Sequence, residues 1–187
     1  GFIGTHLYNY LGLNEDIIRI PFKDEFFKNK LNLEKFVDQC DAIVHLAALN
    51  RHGEAGIIYR TNLGLIDKLL DAVENTKSKP HIIMSSSTQE SRDNEYGRSK
   101  KAGRKLFMKW ANDTNGKLTG LVISNVFGPF GNPFYNSFIA TFSHLICTGG
   151  QPKIDIDTTV NLIYINDLVK KIYEVIINKE LKDELII

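Results

Sequence analysis

Cysteine is scarce in this 187-residue chain: Cys40 and Cys147 stand alone, without a C-x-x-C pair or a His/Cys ligand spacing. Two isolated thiols exclude a disulfide framework and a zinc motif, and fit a reducing cytoplasm. An excess of charge is also missing. Lys and Arg number 23 against 22 Asp and Glu, a formal net charge of +1. Such balance argues against nucleic acid or an anionic membrane surface as a partner, and leaves a small anion held by a local site. No apolar run approaches the ~20 residues of a membrane helix, and no signal peptide is visible. Internal repeats, low-complexity tracts and linker-like stretches are absent too. The 43% hydrophobic content is ordinary for a folded domain.

The apolar pattern alternates between two periods. Short, β-branched runs at residues 16–20, 42–46, 81–85, 118–123 and 161–165 read as strands. Between them, helical periodicity covers 5–11, 32–39, 55–76, 96–112, 136–147 and 166–178, the last with Asn166 as a candidate N-cap. Strands alternating with helices predict βαβ units: an α/β, Rossmann-like, doubly wound parallel sheet with helices on both faces, forming one domain over 1–187. The strands are apolar throughout, as when both sheet faces are covered. The chain opens on Gly1 and closes on Leu185-Ile186-Ile187. We read both ends as truncations, the first strand lying upstream. The expected consequence is an exposed apolar sheet edge and a tendency of the 187-residue piece to aggregate.

In such sheets ligands sit beyond the carboxyl ends of the strands, so the residues there carry the functional reading. Gly1-Phe2-Ile3-Gly4 opens a helix and matches the end of a G-x-x-G-x-x-G fingerprint. Glycines there let a phosphate approach the positive helix terminus, although two glycines alone also suit any tight helix start. Arg19 and Lys23 follow the next strand with no acid before Asp24. Base without acid favours a 2′-phosphate, hence NADP(H) over NAD(H), unless both are merely solvated. His45-Leu46-Ala47-Ala48 ends a strand with small residues against which a flat cofactor could lie, or a helix pack tightly; Asn50 and Arg51 come next.

The main signal is Ser85-Ser86-Ser87 at a strand end followed by Tyr96-Gly97-Arg98-Ser99-Lys100. Tyr96 and Lys100, four apart, share a helix face. A fixed ammonium favours the phenolate and is expected to depress the tyrosine pKa. A serine hydroxyl opposite could bind the reacting oxygen. A lone Tyr-x-x-x-Lys is weak; after a serine-tipped strand, and with a glycine helix start nearby, it is specific.

These motifs resemble the extended short-chain dehydrogenase/reductase superfamily of nucleotide-sugar epimerases, dehydratases and reductases, over nearly the whole chain. The resemblance implies Ser87, Tyr96 and Lys100 as the catalytic set. It implies cofactor contacts from Gly1, Phe2, Ile3, Gly4, Arg19, Lys23, Leu46, Ala47, Ala48, Ser85, Tyr96, Lys100 and Ser124. Asn125-Val126-Phe127-Gly128-Pro129 looks like the superfamily's substrate-side Asn-x-x-Gly-Pro loop. Asn50, Arg51, Ser87, Asn125, Tyr135 and Asn136 are the implied substrate contacts, and no metal is implied. The segments His45 to Arg51, Ser85 to Gln89, Asp93 to Gly97 and Tyr135 to Phe142 are closer still to the CapF-like capsular polysaccharide and O-antigen enzymes. That likeness implies NADPH-dependent reduction of a UDP-4-keto-6-deoxy-N-acetylhexosamine by a cytoplasmic homodimer. An NAD-dependent epimerase or dehydratase would use the same residues, and a non-catalytic NADP-binding sensor or scaffold would need only the cofactor contacts.

Overall fold

The computed structural model describes residues 1–187. Six helices and six strands follow one another as α1 (Phe2–Leu11), α2 (Lys30–Asp38), β1 (Ala42–His45), α3 (Ile57–Thr76), β2 (His81–Ser87), α4 (Glu95–Thr114), β3 (Lys117–Ile123), β4 (Asn125–Phe127), α5 (Phe138–Cys147), β5 (Leu162–Tyr164), α6 (Ile165–Asn178) and β6 (Lys182–Ile186). Short 3₁₀ turns at Asp24–Lys28 and Thr88–Ser91 precede α2 and α4. The main sheet has the order β1-β2-β3-β6 and is parallel throughout. Its helices lie on both faces, as expected.

Each face has its own core. One joins α2, α3 and α4 to the sheet through Leu33, Val37, Ile66, Leu69, Ile82, Met84 and Phe107. The other joins α1 and α6 through Leu7, Ile83, Leu121, Leu168, Val169 and Ile172. Ile82 and Ile83 are both fully buried although they point to opposite faces, which is why β2 reads as an unbroken apolar run. Caps set the helix ends. Asn29, Asn94 and Ser137 accept from the backbone N–H three residues on, satisfying a donor the helix leaves free.

Several expectations are corrected. Residues 16–20 are not a strand. They line the same cleft as β1 without pairing to it, so the β-branched run lacks the ladder partner a strand requires. The run at 161–165 becomes β5, outside the main sheet; it pairs in parallel with β4, which the apolar pattern did not single out. Asn166 is not the N-cap of α6, because the helix starts at Ile165 after Tyr164. Of the terminal apolar residues, Leu185 and Ile186 belong to β6, which pairs with β3.

Two histidines are buried at opposite ends of adjacent strands. His81 opens β2 and shares a 2.8 Å hydrogen bond with Thr119. Its pKa is lowered by burial and by Lys117. His45 closes β1 against Phe107, and burial, with the Lys100 charge added, holds its pKa down from 6.5 to about 3. Folding therefore favours the neutral rings. The His45 contribution is complete above pH 6.5 and drains away as pH falls toward about 3, by about 1.4 kcal/mol per pH unit while the ring charges only in the unfolded chain; His81, lowered in the same direction, adds to the loss below pH 6.5. Urea midpoints measured across this range are expected to fall with acidity, and His45→Gln to flatten the slope. An unchanged slope in the variant would remove His45 from the account.

Candidate active site

The carboxyl ends of β1, β2 and β3 open into a cleft of 2320 Å³. That exceeds a typical small-ligand pocket because the cleft continues between residues 16–22 and the edge of β1. At one wall, α1 presents its N-terminus. Gly1 is the cap and offers no side chain to the helix, so the first backbone N–H groups are available to a ligand. Gly4 faces Leu46, whose Cδ1 lies 3.7 Å from where a β-carbon would stand. Phe2 and Ile3 line the cleft and also pack onto the α1/α6 core.

The floor is built by strand ends. Leu46, Ala47 and Ala48 follow β1. The next residue is held in place by Asn62, a buried side chain on α3. Asn62 accepts from the Leu49 N–H at 2.7 Å, donates to the Leu49 carbonyl at 2.9 Å, and donates to Ser99 Oγ on α4 at 2.8 Å. This clamp was not anticipated from the sequence. The one available signal was a lone amide between Ile58 and Ile66 on the apolar face of α3.

Ser85, Ser86 and Ser87 end β2. Ser85 Oγ donates to the His45 carbonyl at 3.1 Å, tying two strand ends together. Ser87 Oγ accepts from the Gln89 N–H at 3.2 Å, capping the Thr88–Ser91 turn and keeping its own hydrogen free to donate. Asn94 then starts α4, accepting from the Gly97 N–H at 2.7 Å. The helix stands against the preceding turn so closely that a β-carbon on Gly97 would overlap the Gln89 carbonyl oxygen. The first two turns of α4 bring Tyr96 and Lys100 into the cleft together. Lys100 Nζ lies 5.6 Å from the Tyr96 ring centroid and donates to the Ser85 carbonyl at 2.9 Å.

The electrostatics differ from expectation on one point. Burial pushes the Tyr96 phenol up to about 12, whereas a depression by Lys100 was expected. Desolvation wins because it disfavours the phenolate directly, while the lysine is itself weakened as a cation. Burial draws Lys100 from 10.5 down to about 8, partly opposed by Glu90. The tyrosine is therefore protonated at neutral pH and beside an ammonium, an arrangement suited to donating a proton.

The opposite wall comes from the β3–β4 junction and the long loop after it. Ser124 donates its N–H to the Ile187 carbonyl at 3.0 Å. The side-chain oxygen of Asn125 is buried and has no hydrogen-bond partner. Asn50 accepts from the Tyr135 hydroxyl at 2.9 Å, and Arg51 donates to the Tyr135 carbonyl at 3.1 Å while stacking over its ring. Asn50, Arg51 and Tyr135 therefore meet across the mouth of the cleft, with Asn136 exposed on its rim. Arg51, one of the implied substrate contacts, is engaged with the loop.

The pair expected to read a 2′-phosphate is not brought together. Arg19 lines the cleft but folds onto α1, donating to the Tyr8 carbonyl at 2.8 Å and stacking on the Tyr8 ring. Lys23 starts the Asp24–Lys28 turn and does not line the cleft, although its neighbours Phe22 and Asp24 do; Phe22 clusters there with Phe26, Phe27 and Phe36. The other candidates all face the cleft.

The chain belongs to the NAD dependent epimerase/dehydratase family, whose model matches residues 1–185. Among curated proteins it is 31% identical, over 96% of its own length, to the UDP-2-acetamido-2,6-beta-L-arabino-hexul-4-ose reductase of Pseudomonas aeruginosa. Among solved structures it is similar to the capsular polysaccharide assembling protein CapF of Staphylococcus aureus, with 28% identity, a TM-score of 0.79 and 97% of the chain covered. The chain spans 48% of the length of each of these two proteins. The fold is also that of UDP-N-acetylglucosamine 4-epimerase from Methanobrevibacter ruminantium, which shares 21% identity over the whole chain and 73% of its own, with a TM-score of 0.84.

The close approach at Gly97 gives a direct check on this geometry. Gly97→Ala is expected to force the Tyr96 turn away from Gln89, at a cost of roughly 1–3 kcal/mol from overpacking. Thermal unfolding measures that loss. A variant as stable as the parent would mean that the turn and α4 are not in the contact described.

Proposed function

We propose that the protein uses NADPH to reduce a UDP-4-keto-6-deoxy-N-acetylhexosamine during synthesis of a capsular polysaccharide or O-antigen precursor. The observation that carries the reading is the half-buried Tyr96 beside the buried Lys100, placed in one cleft with the bare N-terminus of α1. The identity to the Pseudomonas aeruginosa reductase supports the choice of substrate class. We further take the protein to act as a cytoplasmic homodimer.

The donor set fits a dinucleotide. The α1 N-terminus would hold the diphosphate, Leu46, Ala47 and Ala48 would border the rings, and the Lys100 ammonium would reach the nicotinamide ribose. NADP(H) over NAD(H) rests on Arg19, which must leave Tyr8 to meet a 2′-phosphate, since Lys23 faces elsewhere. When bound, the cofactor supplies a hydride to the keto carbon.

The residues of the chain then deal with the oxygen. As the carbonyl gains the hydride its oxygen becomes an alkoxide, and Tyr96 Oη–H donates a proton to it. The high Tyr96 pKa keeps that proton in place at neutral pH, which suits reduction better than the initial hydroxyl deprotonation of an epimerase. Ser87 Oγ–H bonds the same oxygen and orients the carbonyl. Lys100 stabilises the phenolate left behind. The unpartnered Asn125 oxygen would accept from a substrate hydroxyl or amide, and Asn136, Asn50 and Tyr135 would border the nucleotide sugar.

Steady-state kinetics and NADPH titration of two variants test this. Tyr96→Phe is expected to lose about 10²–10⁴-fold in turnover with cofactor affinity near the parent's. Lys100→Ala is expected to lose both. Near-normal reduction of the 4-keto sugar by Tyr96→Phe would show that another group donates the proton.

A further inference from the structure

Glu90 is an enclosed carboxylate that the reaction above does not use. It sits in the Thr88–Ser91 turn, and its side chain is 10% exposed. It accepts from the Ser86 hydroxyl on β2, and from Arg104 on α4 through Nε at 2.9 Å and Nη2 at 2.7 Å. Arg104 reaches further, to the Glu184 carboxylate at 2.9 Å and the Asp183 carbonyl at 3.4 Å, both on β6. Burying two such ions costs several kcal/mol each, and well-packed apolar side chains often stabilise as much. A two-point guanidinium–carboxylate pair offers what apolar packing does not, a fixed direction.

That direction bears on the reacting groups. Ser86 adjoins Ser87. The turn carrying Glu90 is capped by Ser87 and lies in backbone contact with Gly97, the residue after Tyr96. Arg104 stands one helical turn beyond Lys100 on the same helix. One carboxylate thus links the strand end, the turn and the helix that hold Ser87, Tyr96 and Lys100. Resting on the reductase reading, we propose that Glu90 is a positioning residue: through Ser86 and Arg104 it keeps the three groups in register, and it acts as the counter-charge to the Lys100 ammonium.

Few other charges bear on Lys100. From β1, His45 is buried and neutral. From α4, Tyr96 is protonated and Arg104 is engaged by Glu90 and Glu184, while Lys101 is exposed and acts on Glu90. Glu90 is the acid that opposes the effect of burial on Lys100. Removing its charge lowers the Lys100 pKa further, so the ammonium is lost at lower pH. Removing the Arg104 charge instead leaves Glu90 unneutralised and moves the Lys100 pKa upward.

The experiment records kcat/KM and NADPH affinity across the alkaline range for the parent, Glu90→Gln, Glu90→Asp and Arg104→Gln. Glu90→Gln is expected to move the alkaline limb of both curves down by on the order of one pH unit. It is also expected to lower kcat at neutral pH on the order of 10-fold. Glu90→Asp restores the limb, because the charge returns, but not all of kcat, because the arm is shorter. Arg104→Gln moves the limb the opposite way, and carries the test should Glu90→Gln not fold. Limbs that stay at the parent's position in Glu90→Gln, or move down in Arg104→Gln, overturn the proposal. A protein that shows these shifts in NADPH affinity but reduces no UDP-4-keto sugar would overturn the reductase reading while supporting the Glu90–Lys100 coupling.

Discussion

A lysine ammonium held out of water at the carboxyl end of a parallel sheet is the constraint around which this structure is arranged. Lys100 is almost wholly buried, and an ammonium in such a place must be given partners or lose its proton. It finds the Ser85 carbonyl near the end of β2, and Ser85 in turn is fixed to β1 through the His45 carbonyl. The fully buried sheet beneath, with Ile82, Ile83 and Leu121 almost inaccessible to water, makes that strand end rigid enough to serve as a reference point. The same burial that weakens the lysine as a cation raises the tyrosine beside it, and the two effects leave a protonated phenol next to a partly held charge.

The rest of the cleft follows from how β-strand ends and helix starts are tied. Asn62 fixes the segment after β1 to α4, Ser87 caps the turn after β2, and Asn94 caps α4. Apart from the Asn62–Ser99 side-chain bond, each satisfies a backbone group that would otherwise be stranded at an element's end, so the site and the stability of its scaffold share the same interactions. The mouth is built differently. Arg51, Asn50 and Tyr135 meet on exposed loops, where fewer buried contacts hold them and opening costs less.

Much of this was legible in the sequence, for identifiable reasons. Strands buried on both faces write continuous apolar runs, so β1, β2 and β3 were read to within a few residues. Tyr96 and Lys100 were found because their pairing is local, four residues along one helix. What escaped reading depends on distant partners. Residues 16–20 have the composition of a strand but no neighbour to pair with. Strand β4 is too short to show a period, so its pairing with β5 did not show, although β5 itself did. Asn62 meets Leu49 and Ser99 from separate elements, and the Glu90–Arg104 pair closes only when the turn and α4 are already packed. Lys23 lies between two residues that line the cleft, Phe22 and Asp24, without lining it itself. The tyrosine pKa was misjudged because a sequence shows the nearby charge and not the burial.

The central claim is that this cleft directs net reduction of a keto sugar, with the cofactor consumed. Supplying the protein with a UDP-4-keto-6-deoxy-N-acetylhexosamine and NADPH deuterated at the transferable position, and following the product by NMR, tests it most directly. The account predicts one deuterium at the former keto carbon for each NADPH oxidised. Conversion of a nucleotide sugar into its isomer without NADPH oxidation, or dinucleotide binding with no turnover of any keto sugar, would contradict it.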